Sequence, residues 1–269
     1  GNMSALQSQS GPFDAGGFIN LKQLNYSSPD FPQPLKNGDM DITITNSGGV
    51  ADNTNININN AHIEVGSDPI DFNLAITKPM STQNFSGNAK GRFNLANVKQ
   101  FAELEPGTEL SGNLNADLRF AGNMASIEKG AYDEVPLTGT ASIQQLKYQS
   151  KEYPRPIEIP VASANFNPKN VSITELRGSY LGSNFNASGS LDNLIGYAIK
   201  DEALKGSMQV AVDKMNLNEW MGVPETSATD TETSASTSEP FIVPANLNLK
   251  LSAKANQVLY DKVSYENVQ

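Results

Sequence analysis

The stretch GFINLKQLNYSSPDFPQPLKN at residues 17–37 returns as GTASIQQLKYQSKEYPRPIEI at residues 139–159. The glycine, the apolar residues, the aromatic residues and the paired prolines coincide without a gap at a shift of 122 residues (139 − 17). Self-similarity of this kind indicates that one supersecondary unit is used more than once. The chain of 269 residues is therefore predicted to contain two copies of a unit of about 120 residues.

The repeat continues through two further segments at different shifts. FSGNAKGRFNLANVKQFAELEP at Phe85 aligns with LKGSMQVAVDKMNLNEWMGVPE at Leu204, a shift of 119 (204 − 85). NLNADLRFAGN at Asn113 aligns with NLNLKLSAKAN at Asn246, a shift of 133 (246 − 113). The 14 additional residues (133 − 119) correspond to TSATDTETSASTSE at 226–239, an acidic segment that we predict to be a mobile surface loop.

These alignments give the predicted domain organisation. Residues 1–16 are interpreted as a tag remnant and flexible lead-in, residues 17–138 as the first β-repeat unit, and residues 139–269 as the second. The second unit is expected to be truncated, because the chain ends in YDKVSYENVQ without a closing turn or helix. We therefore expect a fragment of a longer protein.

Strict alternation of apolar and polar residues runs through much of the chain. It is clearest in the sets Ile42 and Ile44; Ile56 and Ile58; Phe72, Leu74 and Ile76; Leu114, Ala116, Leu118 and Phe120; Met208, Val210 and Val212; and Leu247, Leu249 and Leu251. A period of two places the apolar side chains on one face of a strand, as in antiparallel sheets with one solvated face. We predict an all-β protein: an elongated, twisted antiparallel sheet built from two similar repeats.

Two short helices are predicted at equivalent positions of the two copies. One spans Asn97 to Glu105 and the other spans Asn216 to Met221, each beginning at an asparagine that is suited to cap a helix. Their apolar residues include Phe101 and Trp220, which align with each other in the repeat. We expect both helices to pack on the apolar face of the sheet.

The composition excludes several classes of function. The chain has 19 basic and 29 acidic residues, a formal net charge of −10, which disfavours nucleic acid as a partner. It has no cysteine and a single histidine, so thiolate chemistry and multi-histidine metal sites are excluded, and we predict neither a metal nor a cofactor. No window approaches 18 consecutive apolar residues.

Enzymatic activity finds little support in the sequence. The lone His62 lies in the strand-like stretch NNAHIEV and is better explained as a surface residue than as a catalytic base. Paired carboxylates for glycoside hydrolysis, for instance Glu64 with Asp71 or Glu134 with Glu175, require a proximity that the sequence does not provide. We therefore predict a non-enzymatic protein, with a glycan-processing enzyme as the third-ranked alternative.

The second copy contains a series of short motifs in a fixed order. They are Pro154-Arg155-Pro156, Phe166-Asn167-Pro168-Lys169, Gly189-Ser190-Leu191-Asp192-Asn193, Leu204-Lys205-Gly206 and the segment from Met215 to Met221. Taken in order, these motifs resemble the AsmA family of envelope proteins. The resemblance implies a periplasmic, β-rich region of a protein anchored in the inner membrane by a segment absent from this chain. It further implies a groove that carries lipid of the phospholipid or lipopolysaccharide type, a role in outer-membrane biogenesis, and no catalytic residues.

An apolar strand face of this kind can line a channel for acyl chains, or it can close as an ordinary sandwich core. The first interpretation predicts lipid binding, and the second predicts a structural or adhesion-type surface module. The residues predicted to line a lipid groove are Phe72, Leu74, Phe101, Leu114, Leu118, Val210, Val212, Trp220, Leu247 and Leu249.

Overall fold

The computed structural model describes residues 13–28, 31–100, 104–131, 134–200, 202–221 and 245–269. The strands within these ranges are β1 (Ala15–Ser28), β2 (Phe31–Asn46), β3 (Thr54–Val65), β4 (Asp68–Thr77), β5 (Asn84–Asn94), β6 (Glu109–Asn123), β7 (Leu137–Gln149), β8 (Ile157–Phe166), β9 (Asn170–Tyr180), β10 (Ser183–Asp192), β11 (Leu204–Asn216), β12 (Leu247–Tyr260) and β13 (Val263–Val268). The α-helices are α1 (Met124–Lys129), α2 (Leu194–Lys200) and α3 (Leu217–Trp220). The all-β class is confirmed.

The strands follow one another in a single sheet in the order in which they occur in the chain. Each strand from β1 to β5 pairs antiparallel with the next strand in the chain. The same holds for β10 with β11 and for β12 with β13. The pair formed by β11 and β12 is parallel and departs from the predicted antiparallel pattern. Its connection is long enough for a crossover, since 30 residues separate Asn216 from Leu247.

Two compact units make up the chain. The first comprises Gly1–Glu103, Asn113–Ser142 and Asn165–Asn170, and the second comprises Leu104–Gly112, Ile143–Ala164 and Val171–Gln269. The acidic segment 226–239, predicted to be a loop, lies outside the described residues.

A bulge in β3 explains how one face of the first unit stays apolar although the sequence changes phase. The apolar residues occupy even positions at Ile56 and Ile58 but odd positions at Ala61 and Ile63. The pairing with β4 shifts between Ile58 and Ala61, and Asn60 there has a φ of 47°. An extra residue reverses the alternation of side chains. Both halves of β3 therefore present their apolar residues to the same face.

Glycine supplies the positive φ that three turns require. Gly48, Gly66 and Gly182 lie in turns with φ of 73°, 66° and 70°, which residues with a Cβ rarely adopt. Each of these turns joins or precedes neighbouring strands.

The helix predictions hold in one copy and need correction in the other. The second copy forms α3, and the Asn216 side chain accepts a hydrogen bond from the Asn218 N–H at 3.2 Å, as an N-cap should. The first copy forms a 3-10 helix, Leu95–Gln100, that begins two residues earlier than predicted. Asn94 accepts from the Ala96 N–H at 3.0 Å there, and the Asn97 side chain donates to Asp68 at 3.0 Å.

Two helices were missed by the sequence analysis. Helix α1 follows Asn123, whose side chain accepts from the Ser126 N–H at 2.8 Å, and ends at Gly130 with φ of 74°. Helix α2 joins β10 to the segment before β11. The capping signals of α1 are present in the sequence, but its short apolar pattern does not rise above that of a strand end.

Candidate functional site

The apolar residues of β1 to β6 align across neighbouring strands into rows. Because strand partners point to the same side of a sheet, residues that are paired in register form one surface. The rows are Ile44, Ile56, Ile76 and Phe85; Ile19, Ile42, Ile58, Leu74, Gly87 and Phe120; Phe72, Ala89 and Leu118; and Phe93 with Leu114. The first unit thus carries a continuous apolar face, six strands wide at its broadest row.

Glycine and phenylalanine alternate across β5 and β6 in the middle of this face. Gly87 pairs with Phe120, and Phe85 pairs with Gly122. Each ring lies against the glycine on the other strand: a Cβ at either glycine would come within 3.1 Å of the Cζ atom of the opposing ring. The two rings are 6.3 Å apart. Because Gly87 and Gly122 have no side chain, the rings of Phe120 and Phe85 occupy the space beside them.

A second apolar face lies on β10 to β12 in the second unit. The paired rows are Phe185, Val212 and Ala255; Ala187, Val210 and Ala253; Gly189, Met208 and Leu251; and Leu204 with Leu247. Val212 and Leu204 are buried, whereas Leu251 is 61% exposed. The face is therefore partly open to solvent at β12.

Few apolar side chains in the described part of the chain are buried. They are Ala61, Val65, Val135, Val171, Tyr180, Leu204, Val212 and Val258. The described strands all belong to one sheet, so no second sheet of described residues lies over the apolar rows. A sandwich core with two layers would bury the central residues of each strand. Here most of them, including Ile58 and Leu74, are only half-buried.

The predicted groove residues fall into two groups. Phe72, Leu74, Leu114 and Leu118 lie on the apolar face of the first unit. In the second unit, Val210, Val212, Leu247 and Leu249 lie together on the other apolar face. Trp220 lies at the end of β11, on α3, and Phe101 lies outside the described residues.

A row of four aromatic rings was missed by the sequence analysis, apart from its last member. We call Tyr148, Tyr153, Tyr180 and Trp220 the aromatic row. Successive ring centroids are 6.0, 6.2 and 5.4 Å apart, and Trp220 meets Tyr180 edge to face at 88°. Tyr148 and Tyr153 belong to the repeated segment at 139–159, but only the fold brings them beside β9 and α3.

The aromatic row stands at one end of the second apolar face. Tyr180 is two residues after Gly178, so both point to the same side of β9. A Cβ on Gly178 would lie 2.4 Å from Cζ of Phe185, the residue that begins the row Phe185, Val212 and Ala255. Trp220, which packs on Tyr180, therefore closes this end of the face.

Two hydroxyl groups of the aromatic row, those of Tyr153 and Tyr180, have a raised pKa. Burial raises the pKa of Tyr180 above its ordinary value, although the nearby Arg155 acts in the opposite direction. Burial is also the main cause that raises the pKa of Tyr153, and Glu152 adds to it. Both phenols are therefore hydrogen-bond donors at neutral pH.

The opposite, polar face of the second unit carries a groove of about 460 Å³. Two polar rows line it: Ser188, Gln209 and Ser252; and Asn186, Ala211 and Lys254. Glu175 and Arg177, which form an ion pair at 2.5 Å, border it on β9. Among the predicted groove residues only Val210 borders this groove, so it is a different surface from the predicted one.

The carboxylates that were considered for catalysis lie as follows. His62 Nδ1 is 2.7 Å from Asp71, and its Nε2 is 4.0 Å from Glu64, on an exposed strand surface. Glu134 belongs to the first unit and Glu175 to the second. Among the described residues, no group of three or more His, Cys, Asp or Glu side chains is placed to hold a metal ion.

None of the helices in the described ranges has the length and hydrophobicity to span a bilayer. Comparison of the chain with known proteins gave no match to a protein-family model, to a curated protein or to a solved structure.

Proposed function

We propose that this chain is the periplasmic part of an AsmA-like envelope protein that binds or guides lipid along its apolar sheet faces and has no enzymatic activity. The partner in this proposal is a phospholipid or lipopolysaccharide-type lipid, and the role is in building the outer membrane. The observation that carries the proposal is the set of cross-strand apolar rows that no second described sheet covers.

Acyl chains fit such a face for energetic reasons. Transfer of one methylene from water to an apolar surface is worth about 0.8 kcal/mol, so a chain laid along several strands gains several kcal/mol. The rows through Ile58, Leu74 and Phe72 offer branched and aromatic side chains without a charged residue among them. The charges of these strands, such as Asp41 and Asp71, lie on the opposite face.

The rival interpretation is a surface module with a closed core. The half-buried state of Ile58 and Leu74 and the exposure of Leu251 favour the open face, because a closed core would exclude water from these positions. Glycan hydrolysis is disfavoured because the Glu64 and Asp71 carboxylates lie on either side of the His62 imidazole, at 4.0 and 2.7 Å, where a hydrolase would need them on either side of the glycosidic bond.

Native mass spectrometry of the chain purified from an envelope fraction tests the proposal. We expect co-purified phospholipid on the unmodified chain. Ile58→Asp places a charge in the middle of the apolar row and is expected to remove most of the lipid, since a buried unpaired charge is strongly unfavourable. Asn57→Asp is the matched control, because the same charge then lies one residue away on the polar face.

A third variant separates lost binding from lost folding. Ile58→Ala removes the same contacts but keeps the surface apolar, so it should retain lipid even where it lowers stability. The proposal fails if the unmodified chain carries neither phospholipid nor a lipopolysaccharide-type lipid. It also fails if Ile58→Asp and Asn57→Asp retain equal amounts.

A further inference from the structure

A short loop that carries an arginine contributes one ring to the aromatic row. The loop joins β7 to β8 and contains Tyr153 and Arg155, with Pro154 and Pro156 on the two sides of Arg155. Within it, the Ser150 N–H donates to the Tyr153 carbonyl at 3.1 Å, and the Tyr153 N–H donates to Ser150 Oγ at 3.2 Å. The Gln149 side chain donates to the Pro154 carbonyl at 2.9 Å. These bonds and the fixed φ of proline hold the backbone that presents Arg155.

Arg155 itself is weakly engaged. Its guanidinium lies 3.9 Å from the Glu219 carboxylate, and its side chain is 69% exposed. An ion pair between exposed side chains contributes little to stability and is easily exchanged. Glu219 also accepts a hydrogen bond from the Asn216 side chain at 3.1 Å, so it retains a partner if Arg155 turns to another anion.

Three chemical features meet at this end of the second unit. The apolar face of β10 to β12 ends at Tyr180 and Trp220, the neutral Tyr180 hydroxyl is a hydrogen-bond donor, and Arg155 supplies a positive charge in a chain of net charge −10. Tyrosine and tryptophan are favoured where an apolar environment meets a wet one. A guanidinium matches the geometry of a phosphate with two parallel hydrogen bonds.

We infer that the aromatic row and Arg155 form a headgroup subsite that binds the phosphate of a phospholipid whose acyl chains lie on the apolar face of β10 to β12. The inference rests on the proposed function and adds to it the class of lipid and the place of its headgroup. Arg155 replaces its contact with Glu219 by a contact with the phosphate. Tyr153 and Tyr180 lie at the junction of headgroup and acyl chains.

The single tryptophan of the chain reports on this subsite directly, because Trp220 belongs to the aromatic row. The experiment follows Trp220 emission while the full chain is titrated with dioctanoyl phosphatidylglycerol, a phospholipid soluble enough to be used as a monomer. Dioctanoylglycerol, which lacks the phosphate, and inorganic phosphate, which lacks the acyl chains, are titrated in parallel. We expect phosphatidylglycerol to bind more tightly than either.

Arg155→Gln is expected to raise the Kd for phosphatidylglycerol by about 10-fold, the loss of a charge-assisted contact, and to leave dioctanoylglycerol binding unchanged. Arg177→Gln is the matched control: Arg177 is also an exposed arginine in an ion pair, but it borders the polar groove instead. Its Kd should stay at the value of the unmodified chain. Circular dichroism spectra establish that both variants fold.

The outcomes separate the two proposals. If Arg155→Gln binds phosphatidylglycerol as tightly as the unmodified chain does, or if dioctanoylglycerol binds equally well, the headgroup subsite is wrong while lipid binding stands. If inorganic phosphate alone binds as tightly as the phospholipid, the subsite is an anion site and the inference is again wrong. If no lipid binds by this measurement and none is found by mass spectrometry, both proposals fall.

Discussion

Strands β5 and β6 of the first unit and strands β11 and β12 of the second occupy equivalent positions of the repeat, yet they pair in opposite senses. Asn94 pairs with Asn113 in the first copy, so Leu114 lies beside Phe93 at the end of β5. In the second copy Leu247, which aligns with Leu114, lies beside Leu204 at the start of β11. Similar strand sequences have thus been assembled in antiparallel and in parallel fashion.

The connections account for the difference. Fourteen residues separate Asn94 from Glu109, and thirty separate Asn216 from Leu247. Strand β11 has 13 residues, so at about 3.3 Å per residue the chain must return about 40 Å before a parallel partner can begin. The 14-residue connection between β5 and β6 begins with a 3-10 helix. It is short, and β6 begins its pairing at the end of β5 where the connection starts. The inserted segment therefore provides the length that a parallel crossover requires.

A glycine is shared by both copies in spite of this difference. Gly87 and Gly206 align in the repeat, and a Cβ on either would lie 2.2 Å from a backbone oxygen of the preceding strand, that of Asn73 or Ser190. Each glycine thus permits the close approach of the strand before it. In both copies the strand that carries this glycine, β5 or β11, pairs in the same way with the strand before it. Its pairing with the strand after it differs between the copies, as the lengths of the connections do.

Engineered disulfides test directly whether β11 and β12 pair in parallel. The chain has no cysteine of its own that could form other disulfides. Ser207 pairs with Lys250 in the parallel register, and both side chains are exposed. The combination of Ser207→Cys and Lys250→Cys should form a disulfide almost completely under mild oxidation, because paired strand positions fall within the Cα separation that a disulfide spans. Non-reducing electrophoresis and mass spectrometry of cross-linked peptides measure the yield.

The antiparallel arrangement of the first copy supplies the control. Transferred to the second copy, it would pair Val212 with Leu247 and hence Ser207 with Ser252. Ser207→Cys with Ser252→Cys should therefore remain largely reduced. A high yield for this pair and a low one for Lys250 would show that both copies pair alike.

Substitution of the shared glycine by valine is expected to have the next largest effect, a loss of stability. Gly87→Val is expected to lower the free energy of unfolding by about 3 kcal/mol, since the backbone oxygen at 2.2 Å cannot move without shifting β4. Gly206→Val should behave similarly. Gly17→Val is the control, because a Cβ there meets nothing within 4 Å, and its effect should be small. Urea denaturation gives all three values.

Unequal results would sharpen the comparison between the copies. If Gly206→Val is tolerated and Gly87→Val is not, the preceding strands β10 and β4 do not approach their neighbours equally. The equivalence of the two glycines would then be limited to the sequence.

The features that are local in the sequence were predictable, and those that depend on long-range assembly were not. The alternation of apolar and polar residues identified the strands and their apolar faces. Strands β11 and β12 pair in parallel although 30 residues separate them, and alternation does not encode the direction of such a pairing. The aromatic row was not predicted because its members are distant in the sequence: Tyr148 and Tyr180 are 32 residues apart (180 − 148) and on different strands.

The cap at the first 3-10 helix was misassigned because Asn94 and Asn97 are equally suited by residue type. Asp68, a buried carboxylate from the start of β4, accepts from the Asn94 N–H at 2.9 Å and from the Asn97 side chain at 3.0 Å. A residue 29 positions before Asn97 thus contacts both asparagines. Sequence patterns that consider only neighbouring positions do not contain this contact.

The smallest expected effect concerns a carboxylate in each unit. Asp213 accepts from the Asn184 side chain at 2.6 Å and from the Asn184 N–H at 2.8 Å, and the side-chain bond is the main cause that lowers its pKa below 3.8. A lowered folded-state pKa stabilises the fold above pH 3.8, and this contribution disappears as the pH falls through the folded-state value. Asp52 has a lowered pKa in the first unit, chiefly through its bond from Ser81.

Asp213→Asn should therefore destabilise the chain slightly at pH 7 and progressively less as the pH falls below 3.8, as measured by urea denaturation across that range. Asn184→Ala keeps the carboxylate but removes its side-chain donor, so it should abolish part of the same pH dependence. Asp52→Asn should repeat the pattern in the first unit, because its carboxylate is likewise held by hydrogen bonds from a neighbouring turn. A pH-independent loss in Asp213→Asn would mean that the shape of the side chain, and not its charge, secures the turn between β9 and β10 against β11. The two units would then differ in how they anchor their turns as well as in how they pair their last strands.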